Sequence, residues 1–220
     1  MKRGLFVTFE GPDGSGKTTL INALKQKLAS KISLRELNYS DVLTTREPGG
    51  QDNILAEKIR NILLDNKQLE IPAITEAYLF AASRSTHVVQ TIKPALLDNK
   101  IVLCDRYLDS SIVYQGYVRK LGAELIRNIN SAAIDTVVPD ITFYLDLPPE
   151  MGLERIKKND RATNRLDDEG IEFHQQVANY YKQHFDNSDS ATRLDASLPI
   201  DELCDICLKL IQNFTGHNHE

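Results

Sequence analysis

Nine residues near the start of the chain, Gly11 to Thr19, read GPDGSGKTT, and no other stretch restricts the possible folds as much. The spacing Gly11-x4-Gly16-Lys17-Thr18 is that of a phosphate-cradling loop, whose successive backbone N–H groups wrap an anion and whose glycines supply the positive φ this needs. Such a loop must join a strand to a helix. An apolar run, LFVTF (5–9), precedes it, and Leu20, Ile21, Leu24 and Leu28 follow at helical spacing. In this setting Gly11, Pro12, Asp13, Gly14, Ser15 and Gly16 line the cradle, aided by the positive end of the following helix. Lys17 then reaches the outer phosphates of ATP or GTP, and the Thr18 hydroxyl is placed to bind Mg²⁺.

The rest of the chain carries the alternation such a loop demands. VLTT (42–45), IVLC (101–104), ITFYLDL (141–147) and TRLDA (192–196) read as further strands. Several are apolar throughout, as strands covered on both faces are. Helical patterns lie between them, including Leu55, Ile59, Ile62 and Leu63, and a long one from about Thr75 to Leu97 that Pro94 should bend. The expectation is a three-layer αβα fold on a five-stranded parallel sheet, one domain over 1–215 with a short disordered tail at 216–220. One polar segment stands out, ERIKKNDRATNRLDDEG (154–170), which reads as a small arginine-rich lid. The stretch from about Lys31 to Asp41 gives no clear signal.

Composition narrows the partners. With 26 Lys+Arg against 31 Asp+Glu, the net charge of −5 argues against a nucleic-acid surface. Glu10 ends the first apolar run too early for a signal peptide, and no stretch approaches a membrane span of about 18 apolar residues. Three cysteines make no disulfide framework, which points to a reducing cytoplasm. Cys204 and Cys207 lie on the apolar stripe Ile200, Leu203, Cys204, Cys207, Ile211, Phe214, so packing, not metal binding, explains their spacing.

The loop alone leaves GTPases, motors and kinases open. A guanine-reading Asn-Lys-x-Asp is missing, because Asn66-Lys67 is followed by Gln68-Leu69. The strand IVLC instead delivers Asp105-Arg106-Tyr107 at its carboxyl end, where ligands of open α/β sheets bind. An acid there can share Mg²⁺ with Thr18, and the arginine can grip phosphate oxygens. Together with FEGPDGSGKTT, the motifs TREPGG (45–50), LFAASR (79–84), CDRYLDSSIVYQG (104–116) and NDRATNRLD (159–167) resemble the thymidylate kinase family nearly end to end.

The resemblance implies the reaction ATP + dTMP → ADP + dTDP in dTTP biosynthesis, with Mg²⁺, in a cytoplasmic homodimer without nucleic-acid or membrane partners. It implies that Phe80 stacks on thymine and Arg84 bonds the base edge, and their i, i+4 spacing puts both on one helix face. Ser111 and Gln115 are also four apart, and Gln115 offers the base edge a donor and an acceptor. Tyr114 is expected against the deoxyribose, Asp13 and Glu47 near the acceptor's sugar and phosphate, and Arg60 and Arg106 on its phosphate. A phosphate-monoester acceptor is a dianion at pH 7 and needs no general base, although Glu10 has the position of one. What it needs is cations. The phosphate loop holds no arginine, so charge on the transferred group must be met from the lid: by Arg161, then Arg165, with Arg155 behind them. Two other readings remain at this stage, a kinase for a different nucleoside or nucleotide and an ATPase acting on a partner protein.

Overall fold

The computed structural model describes residues 3–29, 31–50, 52–65, 69–158, 164–166, 168–186 and 190–217. Strands β1 (Leu5–Glu10), β2 (Val42–Arg46), β3 (Ile101–Asp105), β4 (Ile141–Asp146) and β5 (Thr192–Asp195) form one sheet. Every pairing in it is parallel, and the order is β2-β3-β1-β4-β5. Each strand read from the sequence is there, with its ends moved by one residue at most.

Crossover direction decides the layers. From β1 the chain moves toward the β2 edge, and every later connection moves back the other way. With one handedness throughout, the first connection and the later ones must cover opposite faces. Helices α1 (Lys17–Leu28) and α2 (Lys31–Leu37) follow β1, and α10 (Ile200–His217) joins them after β5. Into this face β1 points Leu5, Val7 and Phe9, which pack with Leu20, Leu24, Cys204, Cys207 and Ile211. The two cysteines are thus core residues with free thiols, pushed toward higher pKa by burial. Each fully buried leucine here contributes about 1.5–3 kcal/mol relative to exposure. Helix α2 escaped the sequence reading, yet Leu37 and Tyr39 beside it are core residues.

On the other face lie α3 (Ile54–Leu64), α4 (Ala73–His87) and α5 (Lys93–Leu97), then α6 (Leu108–Ser111) and α7 (Ala123–Ile134), then α8 (Pro149–Lys158) and α9 (Ile171–Asp186). Phe6, on the alternate face of β1, packs here against Val88, Ile92 and Tyr107. The long helix expected over 75–97 is not simply bent at Pro94. A π-helical stretch, Val88–Ile92, precedes the proline, and α5 continues beyond it. Widening the turn lets a residue without an N–H, whose ring would meet the carbonyl four back, remain in a continuous helix. A second π-helical stretch, Ile112–Val118, carries Tyr114 and Gln115.

Candidate active site

A cavity of about 760 Å³ runs along the carboxyl edge of the sheet. Strand order lays out its walls. Glu47 and Pro48 follow β2, Asp105 and Arg106 follow β3, the phosphate loop follows β1, Arg155 sits on α8 after β4, and Ala196 and Leu198 follow β5; all line the cavity. Between β1 and β3 the chain departs to opposite faces, so the loop and Asp105-Arg106 flank the crevice where such sheets bind ligands.

The loop is built for an anion. Gly16 caps α1 at φ 93° without a side chain, and α1 has no acid in its first turn, so nothing competes for its N–H groups. Gly14, at φ 75°, lies so close to α8 that a Cβ would meet the Gly152 carbonyl oxygen at 2.2 Å. Lys17 curls back, its Nζ donating to the carbonyls of Gly11 (3.1 Å) and Pro12 (2.9 Å). Burial and the Arg106 charge push this ammonium down from 10.5 to about 8. Thr18 donates its hydroxyl to Asp105 at 2.6 Å, so the two residues expected to share a cation do meet. One hydroxyl and one carboxylate, with no cluster of three ligating residues among those described, suit a hard cation held mostly by water and substrate phosphates.

Arg106 is the hub beside the loop. It adopts φ 70°, and its Nη2 donates to Asp13 at 2.8 Å while Nη1 donates to Tyr181 (2.8 Å) and Ser110 (3.1 Å). Its guanidinium also lies over the Tyr114 ring, and Tyr114 donates its hydroxyl to Asp13 at 2.9 Å. Burial alone would raise the Asp13 pKa, but the charges of Arg106 and Lys17 hold it well below the usual carboxylate range. An acid inside an anion cradle needs a cation beside it, and here that cation is Arg106. Glu10 sits behind this hub, fully buried and outside the cavity lining, accepting from the Tyr107 backbone (2.7 Å), Ser110 (2.6 Å) and Tyr181 (3.0 Å). Burial and Asp109 raise its pKa. Glu10, which has the position of a base, is held here as a brace behind Arg106, sharing Ser110 and Tyr181 with it.

Farther along, Phe80, Arg84, Ser111 and Gln115 line one end of the cavity. Arg84 donates to Glu47 (2.7 Å), the Tyr107 carbonyl (2.9 Å), Ser111 (3.0 Å) and Asn130, so four of its five N–H bonds have protein acceptors. Glu47 is held on its other oxygen by His87 Nδ1 at 3.1 Å. Arg60 lines the cavity and donates to the Pro48 carbonyl at 2.8 Å, with Arg46 beside it.

The lid arginines part company. Arg155 lines the cavity and donates to the Ala196 carbonyl at 3.1 Å. Arg165 does not line it. Its Nε donates to the Leu63 carbonyl at 2.9 Å and its Nη2 to Glu76. In this geometry a buried carboxylate holds the Arg165 guanidinium away from the cavity lining. Arg161 lies outside the described residues.

Sequence reasoning passed over Arg46, Glu76, Asn130 and Tyr181. Two of these left a trace. Arg46 stands inside TREPGG, and Glu76, Phe80 and Arg84 recur every four residues on one face of α4.

Comparison with known proteins agrees with this arrangement. A family model described as Thymidylate kinase matches residues 9–205. The chain is 45% identical to "Thymidylate kinase" of Staphylococcus haemolyticus (strain JCSC1435) over 95% of its own length and 98% of that protein. It is 54% identical to the protein of the same description from Acholeplasma laidlawii (strain PG-8A), over 80% of its length and 83% of that protein. With a phosphate loop, the Asp105-Arg106 pair and an aromatic-lined far end of the same cavity on one sheet edge, and with relatives matching nearly its whole length, the chain belongs to the thymidylate kinase family.

Proposed function

We propose that the chain transfers the γ-phosphoryl group of ATP to dTMP, giving ADP and dTDP, with the two nucleotides lying end to end along the cavity. The observation that carries this reading is that the cavity is continuous. It runs from Ala196 and Leu198 past the phosphate loop to Phe80 and Gln115, with Lys17, Arg60 and Arg106 at its middle. The donor's phosphates lie in the cradle Gly11 to Thr18, and its base lies between Arg155 and the Ala196–Leu198 turn. The acceptor's base lies on Phe80 between Arg84 and Gln115, its sugar beside Tyr114 and Asp13 with Glu47 behind, and its phosphate at Arg60 and Arg106. Thr18 and Asp105 would hold Mg²⁺, which when bound would neutralise phosphate charge on the donor side. The chain itself supplies position and charge: Lys17 on the donor, Arg60 and Arg106 on the acceptor, Arg161 on the transferred group, and Arg165 anchoring the lid.

A panel of nucleoside monophosphates and nucleosides with Mg·ATP tests the assignment. dTMP leads, and dUMP follows by roughly 5- to 150-fold because it lacks only a methyl group, worth about 1–3 kcal/mol. Thymidine without its phosphate is not an acceptor. Hydrolysis of ATP with no diphosphate product from any acceptor would favour a partner-acting ATPase instead.

The Lys17 ammonium makes ATP binding pH-dependent. Above pH 8 the unliganded lysine loses its proton, so ATP affinity falls by about tenfold per pH unit, and Lys17→Met flattens that profile. Folding responds the other way. Between about 8 and 10.5 the unfolded chain binds the extra proton, so the stability of the unliganded protein, taken as the difference from Lys17→Met, rises with pH. Calorimetric titration and pH-dependent melts read the two trends, and parallel slopes would contradict the assignment of Lys17.

The active form is a homodimer. Helix α4 exposes Ile74 and Tyr78 (38% and 58%), the π-helical stretch after it exposes Val89 (59%), and α3, which packs on α4, exposes Leu55 and Ile62. Exposed apolar side chains gathered on neighbouring helices mark surfaces that another chain covers. Tyr78→Lys combined with Val89→Asp yields a monomer by sedimentation, and wild type at monomer mass would count against the dimer. Among the described residues no helix is long and apolar enough to cross a membrane, and the three buried free thiols support a reducing, cytoplasmic setting.

A further inference from the structure

Glu76 has no place in the transfer just described, yet it is among the most constrained carboxylates in the molecule. It lies in the first turn of α4, 1% exposed. One oxygen accepts from Gln115 Nε2 at 2.9 Å and has Arg119 Nε at 3.7 Å; the other accepts from Arg165 Nη2. Neither arginine can readily leave. Arg165 also binds the Leu63 carbonyl, and Arg119 pairs with Glu169 at 2.8 Å while lying over the Phe173 ring. The carboxylate is therefore fixed in place from two sides, and what it fixes in turn is an amide.

A carboxylate between two guanidinium groups only accepts hydrogen bonds. Gln115 must then turn its nitrogen toward Glu76, and its carbonyl oxygen is the end left for the cavity that it lines. Arg84, with four N–H bonds taken by protein, has one remaining on Nη1 and can present only a donor. Gln115 and Arg84 thus show a base one acceptor and one donor, beside the Ser111 hydroxyl that accepts from Arg84. A pyrimidine with N3–H beside a C4 carbonyl matches this pair. Cytosine does not: its N3 lone pair faces the Gln115 oxygen, and its 4-amino group faces the Arg84 N–H. A freely rotating glutamine would offer its amino end to cytosine N3 and remove one of the two conflicts.

We propose that Glu76, which touches no substrate, is a positioning residue that sets the choice of pyrimidine by holding the Gln115 amide with its carbonyl oxygen toward the base. The inference rests on the assignment of the acceptor base to the Phe80–Gln115 end of the cavity. It assigns specificity to a residue one step removed from the ligand, and it makes the same carboxylate the anchor of the lid through Arg165.

The test measures kcat/KM for dTMP and for dCMP in wild type, Glu76→Met and Glu76→Gln, with melting curves for each. Glu76→Met removes the acceptor opposite Gln115 at similar volume, and the dTMP-to-dCMP ratio falls by at least ~10-fold, mainly through KM. Glu76→Gln keeps an oxygen that can accept from Gln115 but loses the charge that holds Arg165 and Arg119. It melts earlier, as Glu76→Met does, yet keeps the ratio within about threefold of wild type. A role that is merely structural would move both variants together. In a Gln115→Met background, adding Glu76→Met leaves the ratio unchanged, because the amide it orients is gone. Should Glu76→Met lack a cooperative melt, Glu76→Asp, which keeps the charge but withdraws by one methylene, takes its place with the same expected loss. An unchanged ratio in the folded variant overturns the inference while the dTMP kinase reading stands. Wild type that accepts neither monophosphate overturns both.

Discussion

Arg106→Met is expected to lower kcat/KM for the acceptor by about 10³-fold. Two effects act in the same direction. The acceptor phosphate loses a charge-assisted contact, worth about 1.5–3 kcal/mol. Asp13, held ionised by Arg106 at 2.8 Å, is left as a part-buried anion inside a cradle meant for phosphate. Breaking a buried pair by removing one partner commonly costs about 3–5 kcal/mol, so the melting temperature falls as well. Arg106→Lys restores a point charge without the fork that joins Asp13, Ser110 and Tyr181, and it recovers only part of the activity. Steady-state kinetics with dTMP varied, read beside thermal melts, separate the two contributions. A kcat/KM for dTMP in Arg106→Met within tenfold of wild type would remove this residue from the acceptor site.

Arg161→Ala is expected to reduce turnover by at least ~10²-fold with ATP affinity nearly unchanged, since a positioned arginine finger is worth roughly 10³–10⁵ in comparable transfers. Arg165→Ala is expected to behave differently. Its guanidinium is held by Glu76 and the Leu63 carbonyl, so its loss strands a buried carboxylate and shows first in stability and in the KM for dTMP. Single-turnover measurements with ATP in excess report the chemical step for both variants. Wild-type turnover in each of them would end the proposal that the lid supplies charge to the transferred group.

The contrast between these two arginines shows what a sequence exposes and what it conceals. The fold was readable because its signals are local. A glycine spacing, five short strand-like runs and the helical patterns between them require only neighbours in the chain, and the sheet followed to within a residue at each strand end. The Thr18–Asp105 contact was also accessible, because both residues leave the carboxyl ends of adjacent strands, β1 and β3. The contacts of Arg165 were hidden for the opposite reason. Its partner Glu76 is 89 positions away, and nothing near Arg165 in the chain announces a buried acid. Glu10 is a similar case: its place beside the loop is plain in the sequence, while Tyr107, Ser110 and Tyr181 close around it only in three dimensions. The π-helical stretches belong with these misses, since widening a turn by one residue leaves the apolar spacing almost unaltered.

The strand order carries a consequence for how such a chain can change. Because β4 and β5 supply one end of the cavity and the segments after β2 and β3 supply the other, the parts that would recognise the donor's purine and the acceptor's pyrimidine share no helix. Substitutions around Leu198 and Leu203 can retune the choice of triphosphate without passing through the Phe80 face of α4, and the reverse holds as well. Drift at either terminus of this trough leaves its charged midpoint, where the two chemistries join, undisturbed.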